Sequence, residues 1–275
     1  MNRRPSAALP DHHGAAAAPA IDPILAIQRG LEALYRVETQ LDVRDFLVTS
    51  AQRDALVPSA ARRPREQLLV HHSPKARSSP PPQPPHPGDE DVELALYLDE
   101  DALATLRRHD PREGLSEDNL APLLLALEGI SHFIYTAVRA QAGRPVSALE
   151  LELQAEVDKY VSLLLLLWSP PPARTTARAH HRGEDLPAWL IRRLFHQVVF
   201  DPALSGEERD RYREANHAAA RYAAVLRRRY PPHAPSPRGP RDAPSASDAL
   251  GLLQDVRRFW RFSCAEKLSH IQQRA

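Results

Sequence analysis

Residues 115–168 read LSEDNLAPLLLALEGISHFIYTAVRAQAGRPVSALELELQAEVDKYVSLLLLLW, and their pattern decides the fold class. Two long apolar-periodic segments flank a short turn of Gly143, Arg144 and Pro145, which predicts a helical hairpin. At roughly 100° per residue, Leu120, Leu123, Leu124, Leu127, Ile130, Ile134 and Val138 fall on one side of the first arm. Glu128, His132, Tyr135 and Arg139 form a polar stripe along its flank. Ser116 caps this arm, and the helix is expected to run to about Ala142. In the second arm Ser147, with Glu150 three residues on, has the capping-box pattern. Its apolar side holds Leu149, Leu153, Val157, Tyr160, Leu163, Leu164 and Leu167. Glu156 falls among them, with Glu152 one turn earlier at the edge.

Working outward toward the start, Asp22 and Pro23 open a helix in which Ile24, Ile27, Leu31 and Leu34 share a face. Asp42 caps a shorter helix through Phe46 and Leu47, and residues 57–64 read as loop. Gln67–His71 and Val92–Leu98 have the apolar runs and alternation of a β-hairpin. The proline-dominated segment 73–88 lies between them. Its composition favours a tolerated low-complexity insertion over a ligand for a proline-binding module. Residues 99–108 start as a short helix.

Toward the other end, helices are expected from about Leu186 to Phe200, from Ser205 to about Arg229, and from Ser247 to about Gln272. The first turns Leu190, Ile191, Leu194, Phe195 and Val198 inward. The second presents Tyr212, Ala215, Ala219, Ala223 and Leu226, and the third buries Leu253, Val256, Trp260, Cys264 and Ile271. Segments 169–184 and 231–245, rich in Pro and Arg, separate these helices. The expected organisation is a disordered tail over 1–20, a small helix-plus-hairpin element over 21–111, and a bundle of about five helices over 115–275: a mainly α fold.

Composition narrows the function classes. The formal net charge of +1 gives no global field toward nucleic acid or anionic membrane. One cysteine, Cys264, excludes an internal disulfide and a four-thiolate zinc site. The Arg pair and Ala run near the start are broken by Asp11, His12 and His13, unlike a secretory signal. No stretch approaches the roughly 20 apolar residues of a membrane span. A cytoplasmic protein with no membrane partner is expected.

No catalytic signature, phosphate loop, standard metal-ligand spacing or nucleic-acid module is present, and the sequence leaves the cofactor, if any, unknown. The one oddity is Glu156, because a carboxylate in an apolar seam must be paired, hydrogen-bonded or protonated. Arg139 or His132 on the opposing arm is its expected partner. In a functional reading Glu156 acts as metal ligand or general base, with His132 as ligand or acid, Tyr135 as hydrogen-bond donor, and Glu128, Glu152 and His270 as further metal ligands. In a structural reading it is an ion pair fixing the hairpin register.

Glu214 and His217, although correctly spaced for a metal pair, point away from the apolar side of their helix. His196 is expected at the surface. Arg174, Arg178, His180, His181 and Arg182 in one linker, and Arg227, Arg228, Arg229, Arg238 and Arg241 around the other, could bind phosphates. Only three of the 36 basic residues are lysines, however, so the arginine excess reads as composition. Arg257, Arg258 and Arg261, interleaved with Phe259 and Phe262, could mark a partner surface. The expected function is a non-catalytic interaction or regulatory module that meets another protein. A metal- or acid/base-dependent bundle enzyme centred on Glu156 and His132 is the alternative, and nucleic-acid binding a distant third.

Overall fold

The computed structural model describes residues 21–57, 63–74, 90–169, 186–231 and 245–274. The fold is mainly helical with a small three-stranded sheet. The expected tail over 1–20 lies outside the described residues, as do most of the insertion over 73–88, most of the linkers over 169–184 and 231–245, and Arg174, Arg178, His180, His181, Arg182, Arg238 and Arg241.

Helix α1 (Pro23–Tyr35) starts as its sequence dictates: Asp22 accepts from the Ile24 N–H at 2.9 Å, and proline occupies the first helical position. After it, Asp42 caps the short helix expected, which is a single 3-10 turn (Val43–Phe46) with Leu47 as its C-cap. The two-residue strand β1 (Leu47–Val48) and α2 (Ser50–Leu56) follow. β1 is too short for residue pattern to separate it from a loop, whereas α2 opens on a complete capping box of Thr49 and Gln52. The hairpin forms as β2 (Glu66–Pro74) and β3 (Glu90–Leu98), paired antiparallel with Glu66 opposite Leu98 and Val70 opposite Leu94. β1 lies parallel to β3 on its other side, giving the order β1-β3-β2.

After α3 (Glu100–Arg108) come the two arms of the central hairpin, α4 (Glu117–Gln141) and α5 (Ala148–Trp168). Helix α4 packs against α1, α3, α5 and both long strands. It is therefore enclosed on nearly all sides, and the polar stripe expected on its flank is inside: His132, Tyr135 and Arg139 are buried. Helix α4 also has the length and apolar composition of a membrane span, contrary to the sequence reading. Most of its apolar window, 67%, is nonetheless buried in this fold.

Helix α6 (Leu186–Ile191) continues into a π-turn (Arg192–His196) that ends four residues before Phe200. Val198, expected inside, is exposed. Helix α7 (Gly206–Arg229) buries Ala215, Ala219, Ala223 and Leu226 as its small-residue face predicts, and packs on α5, α6 and the last helix. The single final helix expected from Ser247 is instead two, α8 (Ala246–Arg261) and α9 (Cys264–Arg274), broken at Phe262. The break has a local cause. Ser263 and Glu266 form a second start signal, with the Ser263 N–H donating to Glu266 Oε2 at 2.8 Å and the Glu266 N–H to Ser263 Oγ at 3.4 Å. Consequently Leu252 rather than Leu253 is fully buried, and Cys264 is only half-buried at the joint.

Candidate functional site

The helical hairpin brings polar side chains together in two places, and the α1–α8 junction gathers a third set at the surface. The first group lies where α4 and α5 meet β2. Lys159 donates to Glu128 Oε2 at 2.7 Å and to Glu156 Oε1 at 2.9 Å. The expected partner of Glu156, Arg139 or His132, is thus replaced by a lysine one turn along its own helix. Because α5 is covered on nearly every side, its apolar seam does not mark the inside. Glu156 is only partly buried, whereas Glu150, Glu152 and Asp158 are buried outright. Burial would lower the Lys159 pKa, but Glu128 and Glu156 outweigh it and hold the ammonium above its ordinary value.

Beside this triad, His132 sits between two carboxylates, with Nδ1 3.4 Å from Glu66 Oε1 and Nε2 3.6 Å from Glu152 Oε2. These are ion-pair separations, longer than formed hydrogen bonds, and both His132 Nε2 and Glu66 Oε1 are buried without a hydrogen-bond partner. Burial pulls the imidazole pKa down, yet Glu66, then Glu152 and Glu128, carry it up to about 9. Burial raises Glu152 to about 7, with His132 opposing and Glu128 and Glu66 adding.

Glu66 is a member that residue pattern did not single out. It reaches α4 because Gly129 has no side chain: a Cβ there would lie 2.7 Å from Leu98 Cδ2 and 2.9 Å from Glu66 Cγ. Among the described residues no group of three or more His, Cys, Asp or Glu has the arrangement of a metal site. The cation at the centre of the carboxylates is the chain's own Lys159.

The second group is deeper. Arg139 Nη2 donates to Glu150 Oε1 at 3.2 Å, to Tyr135 Oη, and to the carbonyls of Phe262 at 2.7 Å and Trp260 at 3.3 Å. Tyr135 in turn donates to Glu150. Glu150 was expected to complete a capping box; Ser147 does accept from its N–H at 3.2 Å, but its carboxylate serves Arg139 and Tyr135 instead. Lys267 of α9, fully buried, donates to Tyr135 Oη at 2.9 Å and Gln154 Oε1 at 2.8 Å. Gln154 passes the chain on to Asp158 Oδ1 at 2.7 Å, which Tyr35 also reaches, while Ser131 donates to Asp158 Oδ2. The network ties α1, α4, α5 and α9 together. Burial lowers Lys267 to about 7 against the pull of Glu150.

Of the residues proposed from sequence, Glu128, His132, Glu152 and Glu156 therefore share the first group, whereas Tyr135 belongs to the second. His270 belongs to neither. It packs among the rings of Tyr222, Phe259 and Phe262, with centroid distances of 5.3–6.1 Å. Glu214, His217 and His196 are exposed.

The third feature is a surface cleft of about 440 Å³ between the end of α1 and α8, lined by Arg36, Leu250, Gln254, Arg257, Arg258, Arg261 and Phe262. Arg36, in the left-handed conformation, terminates α1. Arg257 is anchored by donating from Nε to the Leu34 carbonyl at 2.6 Å, and the Arg258 guanidinium lies 5.6 Å from the Phe262 ring centroid. None of the four arginines makes an ion pair with a carboxylate among the described residues. Burial, followed by repulsion from Arg36 and Arg261, lowers the Arg257 pKa. The neighbouring Asp255 is committed to Arg229 at 2.9 Å and Tyr230 at 2.7 Å. The chain matches no protein-family model, no curated protein and no solved structure in comparisons with each.

Proposed function

We propose that this chain is a non-catalytic interaction module of the cytoplasm, a bundle of about five helices that presents the α1–α8 cleft to an anionic segment of another protein. One observation carries the reading. The charged groups inside the bundle are engaged with one another, while four guanidiniums at the cleft are gathered without an opposing carboxylate among the described residues. Crowding like charges costs free energy unless a counter-charge arrives. A surface held in that condition is suited to an anion, and arginine is the residue whose planar fork recognises one with defined geometry.

The test is retention of the full chain on immobilised poly-glutamate, compared with the double variant R257Q/R261Q. Glutamine keeps an N–H donor for the Leu34 carbonyl, so the fold is preserved and checked by circular dichroism. Salt-sensitive retention, reduced severalfold in the variant, supports the reading. Equal retention by both proteins refutes it, and stronger retention on random duplex DNA would favour the nucleic-acid alternative.

A second reading, an acid/base or metal-dependent enzyme around His132 and Glu156, draws on the unpartnered His132 Nε2 and Glu66 Oε1. Elemental analysis of purified protein beside His132→Gln tests its metal branch. Stoichiometric metal that disappears in the variant would replace the interaction reading.

A further inference from the structure

We infer that the cleft takes a phosphorylated side chain in an extended segment of the partner, with an apolar residue about five positions away resting on Leu250. The inference rests on the interaction reading above and adds the chemistry of the ligand.

Three arguments lead to it. The first is charge: Arg36 arrives from α1, Arg257 and Arg261 stand one turn apart on α8, and the other two lie close enough to Arg257 to disfavour its charge. One side-chain carboxylate brings a single charge and two oxygens, enough for one bidentate arginine. A phosphoryl group brings a charge near −2 and three acceptor oxygens, which several guanidiniums can share.

The second argument is shape. Leu250, Gln254, Arg257, Arg258 and Arg261 follow one another along a single face of α8. From Leu250 to Arg261 the helix rises about 16 Å, the span of about five residues of extended chain. The cleft is thus charged at one end, where Phe262 also lines it, and apolar at the other, with Gln254 between them as a hydrogen-bonding amide.

The third concerns the source of the phosphoryl group. Small-molecule pockets enclose most of their ligand, but here Leu250 is 61% exposed, and Arg36, Gln254, Arg258 and Arg261 are exposed too. An open stripe of this kind suits a peptide lying across it better than a free metabolite.

The experiment is calorimetric titration of the full chain with alanine-based peptides carrying leucines five residues to either side of a central position. That position is phosphoserine, glutamate or serine. Inorganic phosphate and phenyl phosphate are titrated alongside. The phosphoserine peptide is expected to bind at least tenfold more tightly than the glutamate peptide, and to weaken as pH falls through about 6, where the phosphoryl group takes up a proton. Binding should drop at least tenfold in R257Q/R261Q; the single variants R36Q and R258Q provide the same reading should the double variant unfold.

Equal affinity for the glutamate and phosphoserine peptides would overturn the phosphoryl inference while leaving an anionic partner in place. Binding of phenyl phosphate without the phosphopeptide would overturn the peptide source. Absence of any binding, together with poly-glutamate retention unchanged in the variants, would remove both readings; absence of binding with retention that falls in the variants would remove this one alone.

Discussion

Replacing Lys267 with methionine should make the protein more stable at pH 7 and less stable near pH 10. Lys267 is 0% exposed, and its ammonium pKa falls from the ordinary 10.5 to about 7, chiefly because burial strips its water. The unfolded chain therefore binds more protons than the folded one between these values, so this residue's contribution to stability rises with pH across that window. It is complete above about 10.5 and lost as pH falls through about 7. The gap corresponds to roughly 4–5 kcal/mol. Methionine avoids that cost, but Gln154 Oε1 loses its donor, at a cost of about 1–3 kcal/mol. Glu150 keeps Arg139 and Tyr135, so no buried carboxylate is left alone.

The expected balance is a gain of about 1–3 kcal/mol at pH 7, reversing to a loss of similar size by about pH 10. Guanidinium unfolding of wild type and Lys267→Met at intervals from pH 6 to 10.5 measures it, because titrations common to both proteins cancel in the difference. A difference that stays flat with pH, or a variant several kcal/mol less stable at pH 7, would refute the reasoning.

Glu150→Gln removes the counter-charge of buried Arg139 and is expected to cost roughly 3–5 kcal/mol in denaturant unfolding at neutral pH; a loss under 1 kcal/mol would mean that the Phe262 and Trp260 carbonyls suffice. Gly129→Ala places a methyl group against Leu98 and Glu66, and despite alanine's helix preference should lower stability by about 1–3 kcal/mol, read as a drop in Tm. His132 is raised from 6.5 to about 9 in the folded chain, so its contribution is full below about 6.5 and disappears as pH rises through about 9. Wild type should therefore lose stability relative to His132→Gln across that interval; parallel curves for the two proteins would show that Glu66 and Glu152 do not hold the imidazolium.

The arms of the hairpin, the small-residue face of α7 and the cap of α1 were legible because each depends on short-range periodicity and local hydrogen bonds. Which polar residues meet was not, since that depends on what surrounds a helix. For α4 and α5 the answer is neighbours on nearly every side, so an apolar stripe ceased to distinguish interior from exterior. Glu156, conspicuous in the pattern, is the least enclosed acid of its helix, and Glu150, placed at a cap, is the buried partner of Arg139.

A usable signal was present in the lysines. In a chain that uses arginine almost everywhere, two of its three lysines, Lys159 and Lys267, are buried. Lys267 also stands four residues before Ile271 on the apolar side of α9. Glu66 had no comparable signal, because its approach to His132 depends on the missing side chain of Gly129 across a strand–helix contact.

The interior and the cleft are connected through the end of α8. A helix leaves its last carbonyls without partners, and they carry partial negative charge. Here Trp260 and Phe262 direct theirs to Arg139, which is held in turn by Glu150 and Tyr135. The same Phe262 faces the cleft, one residue after Arg261 and four after Arg258. A paired cation inside the bundle therefore engages the end of α8, next to the positions from which the arginines of the cleft project. The buried network thus meets the charged face at the α8–α9 joint, where Arg139 and Lys267 tie the hairpin to both helices.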